Sequence, residues 1–228
     1  HKPLTEFTKG IVESGEKTAQ DFYGADGWTA HSICNLWGFT APGEHPSWGA
    51  TNTGGAWLCQ HLYQHYLYTK DVEYLKEIYP VMKGSAEFFK SVMIEEKEHS
   101  WLVTAPTSSP ENSFYLPDGK IASVCMGPTM DNQLITELYQ HVIAASEILG
   151  VDKDFAETLK SDMKRFPPMQ ISEHGYLQEW LKDYGEPEIH HRHVSHLFGL
   201  HPGRLITKTK TPDLYEACKM SLERRGDE

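Results

Sequence analysis

The sequence predicts an all-α domain interrupted by long, chemically rich loops. Two observations carry this. Apolar residues recur at three- and four-residue spacings in six separate stretches, each spacing placing them on one helix face. Between the stretches lie loops over 24–53, 101–129 and 172–201, dense in Gly, Pro, Trp, His and acidic residues. Loops of that length in a compact domain are functional or disordered, and these are too aromatic for disorder.

Leu4, Phe7, Ile11, Ala19 and Phe22 predict the first helix. Gly54 to Tyr68 predicts a second, with Asn52 and Thr53 as capping residues. Val72, Leu75, Tyr79, Met82, Ala86, Phe89 and Met93 predict a third. Pro80 lies inside that run and lacks an N–H, so it is expected to kink the helix or start another. Lys120-Ile121-Ala122-Ser123-Val124, after Asp118-Gly119, predicts a short β-hairpin. Leu134, Leu138, Val142, Ala145 and Ile148 predict a fourth helix, stopped by Gly150. Phe155, Leu159, Met163 and Phe166 predict a fifth, ended by Pro167 and Pro168. Leu214, Cys218 and Leu222 predict the last. Helices with such connections favour stacked antiparallel pairs, as in an α/α toroid, over a four-helix bundle. Periodicity alone leaves that choice open.

Composition narrows the function classes. The net charge of -11 argues against nucleic-acid binding, which needs Lys and Arg to replace counterions around phosphates. No apolar run is long enough for a membrane span. Cys34, Cys59, Cys125 and Cys218 form no CxxC pair, so neither a zinc ribbon nor a redox motif is predicted, and Cys59 and Cys218 read as buried thiols. Six Trp and eleven Tyr suit a sugar site, because the C–H face of a pyranose packs on such rings, although most are expected to fill a core. The chain opens on His1-Lys2-Pro3 and not on Met, so its true start, with any targeting segment, is expected to lie outside it.

Four segments offer chemistry. Thr107-Ser108-Ser109-Pro110-Glu111-Asn112 places a glutamate in a polar loop. A glycosidase needs one carboxylic acid of raised pKa to protonate the leaving oxygen, and Phe114 and Tyr115 offer a low-dielectric wall. A solvated Glu capping a turn is the alternative. His190-His191-Arg192-His193-Val194-Ser195-His196 admits three readings: a metal site, though no HExxH or zinc spacing is present; hydroxyl recognition by Arg192 and His193; or histidines that tie loops together, His196 above all. Pro46-Ser47-Trp48-Gly49, followed by Gly54-Gly55-Ala56-Trp57, suggests Trp48 as a stacking residue, Trp57 as core, and the glycines as close-packing positions or a phosphate cradle. Gly27-Trp28-Thr29-Ala30-His31-Ser32 brings His31 forward as a substrate-binding residue facing a cleft, or else as a structural histidine. His61 and His65 read as structural. Glu173, Glu179, Asp183, Glu186 and Glu188 read as mostly solvated, with one of them a candidate base.

Taken in order, Gly27-Trp28-Thr29-Ala30-His31, Gly54-Gly55-Ala56-Trp57-Leu58-Cys59-Gln60-His61-Leu62, Ser109-Pro110-Glu111-Asn112 and His191-Arg192-His193-Val194-Ser195-His196-Leu197 resemble glycoside hydrolase family 95, the inverting α-L-fucosidases. The resemblance covers nearly the whole chain. It implies an (α/α)6 barrel, Glu111 as general acid, Arg192 and His193 on the sugar, and Trp48 in the substrate wall. The partner it implies is a fucosylated oligosaccharide or glycan, and it implies no cofactor or metal. An α-L-galactosidase on the same scaffold and a non-catalytic carbohydrate-binding domain are the alternatives. In this family a water is activated by asparagines and by an aspartate in an Asp-Gly-Asn segment. Neither pattern is in this sequence, so residues 1–228 are expected to be the middle of the catalytic domain, incomplete at both ends and inactive alone. Location in the periplasm, on the cell surface or outside the cell is the family expectation.

Overall fold

The computed structural model describes residues 1–226. It is mainly helical: α1 (Lys2–Gly10), α2 (Val12–Thr18), α3 (Pro46–Gly49), α4 (Gly54–Thr69), α5 (Val72–Val92), α6 (Thr129–Leu149), α7 (Lys153–Met163) and α8 (Pro212–Arg225). A π-helical turn, Ala19–Tyr23, follows α2 and stops at Gly24 with φ 60°. It shifts the helical register, which turns Phe22 out to solvent despite its place in the predicted stripe. Among the described residues no helix is long and apolar enough to cross a membrane.

The core is two helix hairpins packed on one another. α4 and α5 reverse direction across Lys70 and Asp71. Lys70 takes φ 56°, and the Asp71 carboxylate accepts from the N–H groups of Glu73 and Tyr74 at 3.0 and 3.1 Å, capping α5. α6 and α7 reverse across Gly150, with φ 71°. α6 packs on both α4 and α5. Leu62, Leu75, Ile78, Met82, Phe88, Phe89, Leu134, Ile135 and Tyr139 interlock there with almost no exposed surface. Each such side chain is worth about 1.5–3 kcal/mol over its exposed state.

α5 runs unbroken through Pro80. The proline sits on the exposed face, as does Lys76, whose carbonyl loses its helical donor. Water can take that carbonyl, and the buried residues on either side, Ile78, Tyr79, Val81 and Met82, hold the helix together. Thr53 occupies the N-cap position of α4 but makes no cap bond; its hydroxyl faces Asp131 at 3.5 Å. Gly54 and Gly55 serve close packing: a Cβ on Gly54 would lie 2.6 Å from the Ala30 carbonyl, and one on Gly55 3.2 Å from the Trp28 ring.

The 36-residue stretch between α5 and α6 holds three two-stranded antiparallel ribbons. β1 (Ile94–Glu95) pairs with β2 (Leu102–Val103). β3 (Thr107–Ser108) pairs with β6 (Val124–Cys125), Thr107 opposite Cys125. Nested inside that pair, β4 (Phe114–Tyr115) meets β5 (Ile121–Ala122) in the hairpin expected around Asp118-Gly119. Glu111 lies in the link between β3 and β4.

α8 belongs to a second, smaller apolar cluster with Leu177, Leu197, Ile206, Ala217 and Cys218. Of the predicted stripe, Cys218 is fully buried and Leu214 packs against this cluster, but Leu222 is 47% exposed. The buried face is Ala217, Cys218, Ser221 and Arg225, and apolar periodicity does not detect its polar members Ser221 and Arg225.

Candidate active site

Three chain segments meet at Glu111. Thr51, just after α3, reaches β3: its hydroxyl lies 3.2 Å from the Ser108 carbonyl oxygen and 2.9 Å from the Ser108 hydroxyl. From the other side the Ser195 hydroxyl donates to the Pro110 carbonyl at 3.0 Å and lies 3.1 Å from the Ser109 hydroxyl. The loop carrying Trp48 and the loop carrying Arg192 and His193 are thereby fastened to the strand that leads to the glutamate. The Pro110–Glu111 peptide is cis.

These segments enclose a cleft of about 440 Å³, lined among others by Trp48, Trp57, Pro110, Glu111, Met130, His193, Ser195, Phe198 and His201. That volume suits a small ligand, for which pockets of roughly 300–1,000 Å³ are usual. An apolar recess of about 310 Å³ adjoins it and shares Ser32, Trp57, Pro110 and Met130. Trp48 is half-buried, and its ring rests against Gly43, where a Cβ would lie 2.3 Å from it. The Trp48 carbonyl also accepts from the Ser32 hydroxyl at 2.5 Å.

The Glu111 carboxylate is 34% exposed. Arg192 donates to one oxygen, and His193 Nε2 stands 3.7 Å from the other. Arg192 is itself 69% exposed, so the pair is worth at most about 1 kcal/mol. A ligand offering hydroxyls to the guanidinium can displace it from Glu111 cheaply. Carboxylate, imidazole and two indoles thus line one cleft, and the Arg192 guanidinium, which is not among its lining residues, reaches the carboxylate from beside it. Such a set can hydrogen-bond a ring of hydroxyls, stack on its apolar face and hand over a proton.

The four histidines of the 190–196 segment point to four different partners. His190 Nδ1 donates to the Arg225 carbonyl at 2.8 Å, and His191 Nδ1 accepts from the His193 N–H at 3.1 Å. His193 faces Glu111. His196 is buried 3.5 Å from Glu179, and burial, with Arg225 nearby, pushes its pKa down to about 3, so the ring is neutral. Among the described residues no group of three or more His, Cys, Asp or Glu is placed to hold a metal ion.

His31 is brought to the recess but not to a ligand-facing position. It has no exposed surface; Nδ1 donates to the Thr40 carbonyl at 2.7 Å, and Nε2 lies 2.6 Å from the Tyr23 hydroxyl. Burial lowers its pKa. With both nitrogens engaged it can brace the wall, and it has no free group for a sugar. Trp57, expected in the core, is half-buried and lines both cavities, its ring centroid 5.1 Å from that of Phe198. Its position in the first turns of α4, just behind the glycine pair, was the available signal.

Glu179 and Glu186 are the second departure. Both side chains are 4% exposed, not solvated. Arg225 bridges them at 2.7 and 2.6 Å, and Arg224 also pairs with Glu186. Glu179 accepts from the Ser109 hydroxyl at 2.7 Å and from the Asn112 amide at 3.1 Å; Asn112 also reaches Glu186 at 2.9 Å. Burial raises the pKa of Glu179, against the pull of Ser109, Arg225 and Asn112. Burial works the same way on Glu186, but Arg225, Asn112 and Arg224 outweigh it and hold that carboxyl below its usual range. Neither carboxylate is placed as a base. They lie beneath the Glu111 loop.

The sequence model described as the glycosyl hydrolase family 95 catalytic domain matches residues 1–228. The chain is similar to Alpha-L-fucosidase 2 of Arabidopsis thaliana, at 42% identity over 231 residues, covering 100% of this chain and 27% of that protein. It is similar to Probable alpha-fucosidase A of Aspergillus niger at 30% identity over 234 residues, covering 99% of this chain and 29% of that protein. The chain therefore spans between 27% and 29% of the length of these two curated relatives. Matched by the family's model from its first residue to its last, the chain belongs to glycosyl hydrolase family 95, within the catalytic domain.

Proposed function

We propose that the protein carrying this chain is an inverting α-L-fucosidase that releases terminal α-L-fucose from oligosaccharides or glycans. The observation that carries the reading is the Glu111 carboxylate in a cleft that Trp48 and Trp57 also line, with Arg192 and His193 beside it. Glu111 is the general acid. It donates its proton to the glycosidic oxygen as the bond to the anomeric carbon breaks, and the leaving sugar departs as an alcohol. Arg192 turns from Glu111 to the sugar hydroxyls, His193 donates a further hydrogen bond, and Trp48 and Trp57 pack on the ring. His31 braces the wall. The names of both relatives support fucose as the sugar.

Inversion needs a second group on the opposite face of the sugar, about 6.5–9.5 Å from the acid with a water between them. That group is assigned to other parts of the polypeptide. An (α/α)6 barrel is built from repeated helix hairpins, and the packed hairpins α4–α5 and α6–α7 support that architecture for the whole domain. Family membership favours export to the periplasm, the cell surface or the medium.

The test uses the full-length protein on a 2′-fucosyl substrate, with NMR following the first anomer released. β-L-fucose is expected; α-L-fucose as first product would overturn inversion. A kcat/KM for the matching α-L-galactoside above that for the fucoside would reassign the sugar, since the two differ by one hydroxyl.

A further inference from the structure

Glu111 has little to hold it in place. Its own side-chain contacts are an exposed arginine and a histidine 3.7 Å away, and both are groups that a sugar would engage. The direction of its carboxylate is therefore set by the backbone of residues 109–112. A general acid must come within about 2.6–3.2 Å of the oxygen it protonates, and a displacement of about 1 Å can cost 10²-fold in rate. Whatever fixes that backbone controls the chemistry.

Both residues flanking Pro110-Glu111 end on one buried carboxylate. Ser109 gives its hydroxyl to Glu179 Oε1 and Asn112 gives its amide to Glu179 Oε2, at 2.7 and 3.1 Å. The Asn112 N–H closes the loop onto the Ser109 carbonyl at 2.9 Å. Glu179 is itself fixed. Arg225 of α8 holds the same Oε2, and the Glu179 carbonyl accepts from the N–H of Thr129, the first residue of α6, at 3.0 Å. Glu179, Glu186, Arg224 and Arg225 are two carboxylates against two guanidiniums, so the cluster under the loop is balanced in charge.

We infer that Glu179 is a positioning residue, which aims the Glu111 carboxylate by clamping Ser109 and Asn112 on either side of it. This rests on Glu111 being the proton donor. Glu179 does not touch the cleft and takes no part in proton transfer. Glu179→Gln keeps the shape but puts an amide N–H₂ where one oxygen accepts, so it cannot satisfy Ser109, Asn112 and Arg225 together. Ser109→Ala removes the strap to Glu179 and the 3.1 Å contact with the Ser195 hydroxyl, and leaves both buried ion pairs and the Ser195–Pro110 bond intact.

The experiment compares parent, Glu111→Ala, Glu179→Gln, Ser109→Ala and the Glu111→Ala/Ser109→Ala double variant in the full-length enzyme. Two substrates are used: a 2′-fucosyl sugar, whose leaving group needs a proton, and an aryl fucoside with a good leaving group, which does not. For Glu179→Gln, kcat on the first should fall about 10- to 100-fold, with KM within about 3-fold and the aryl substrate losing less than about 3-fold. Ser109→Ala should show the same split at about 3- to 10-fold, and no further loss once Glu111 is Ala. A merely structural role would instead lower both substrates by the same factor and would persist in the double variant; either result overturns the inference while Glu111→Ala keeps its own split. If Glu111→Ala itself loses equally on both substrates, or loses nothing, the proton-donor reading falls and the inference with it. If Glu179→Gln does not fold, Ser109→Ala and the double variant decide.

Discussion

The Ser195 hydroxyl donates to the Pro110 carbonyl at 3.0 Å. This one bond joins the segment that carries Arg192 and His193 to the peptide that carries Glu111, across 85 residues of sequence. Glu111 and its neighbours Arg192 and His193 are thereby tied together through the backbone, while the exposed Arg192–Glu111 pair itself is weak.

Arg192→Ala separates binding from folding. The pair with Glu111 is exposed, so its loss should change stability by no more than about 1 kcal/mol. Lost hydrogen bonds to sugar hydroxyls should lower kcat/KM by about 10- to 100-fold, mainly through KM. Arg192→Lys should recover only part of this, because an ammonium lacks the planar fork. Thermal unfolding and steady-state kinetics on the same preparations check both halves. A large fall in melting temperature would mean that Arg192 holds the fold.

Gly43→Ala tests the seat of Trp48. A Cβ there meets the indole at 2.3 Å and the Cα of Gly49 at 2.9 Å, so the ring has to shift. Overpacking of this kind costs about 1–3 kcal/mol. KM should rise several-fold, with a smaller change in kcat, and tryptophan fluorescence should lose part of its response to fucose. Unchanged binding would remove Trp48 from the sugar wall.

Asp131 gives the stability a pH dependence of known sign. It lies wholly buried in the first turn of α6 and accepts from Thr104 and Thr107, each at 2.8 Å. Burial, only partly opposed by those hydroxyls and Thr53, pushes its pKa up to about 7. Between its unfolded value near about 4 and about 7 the folded state holds the proton and the unfolded state has lost it, so this group's contribution falls as pH rises through that window. Asp131→Asn removes the slope. The melting-temperature difference, variant minus parent, should be more positive at pH 8 than at pH 5, by an amount on the order of a few kcal/mol in stability. A difference independent of pH would show that Asp131 titrates alike in both states.

How much of this was legible in the sequence depends on which kind of order made each part. Of the apolar stripes Val72–Met93 and Leu134–Ile148, Leu75 to Phe89 and Leu134 to Ala145 became the core of α5 and α6, while the end members Val72 and Ile148 are 41% and 47% exposed. Gly150 stopped its helix as expected, and the hairpin turned at Asp118-Gly119. Glu111, Trp48 and His193, singled out by ordered motifs more than by their own neighbours, line one cleft, whereas Arg192 and His31 are not among its lining residues. The misses are long-range polar contacts. Nothing local distinguishes Glu179 from the solvated glutamates around it; its partners Ser109 and Arg225 lie 70 and 46 residues away. For the same reason the buried Ser221 and Arg225 of α8 were invisible and Leu222 was misplaced, while Cys218 was buried as expected. Trp57 is a mixed case: it packs against the core as its helix position suggested, but it is only partly buried and, beside Phe198 and Pro110, also forms a wall of the cleft.

The central claim is that Glu111 supplies the proton. Its most direct test is the rate of Glu111→Ala in the full-length enzyme on a 2′-fucosyl substrate, set against an aryl fucoside with a good leaving group. The predicted result is a loss of roughly 10²–10⁴-fold on the first and a much smaller loss on the second. An undiminished rate on the 2′-fucosyl substrate would contradict the account.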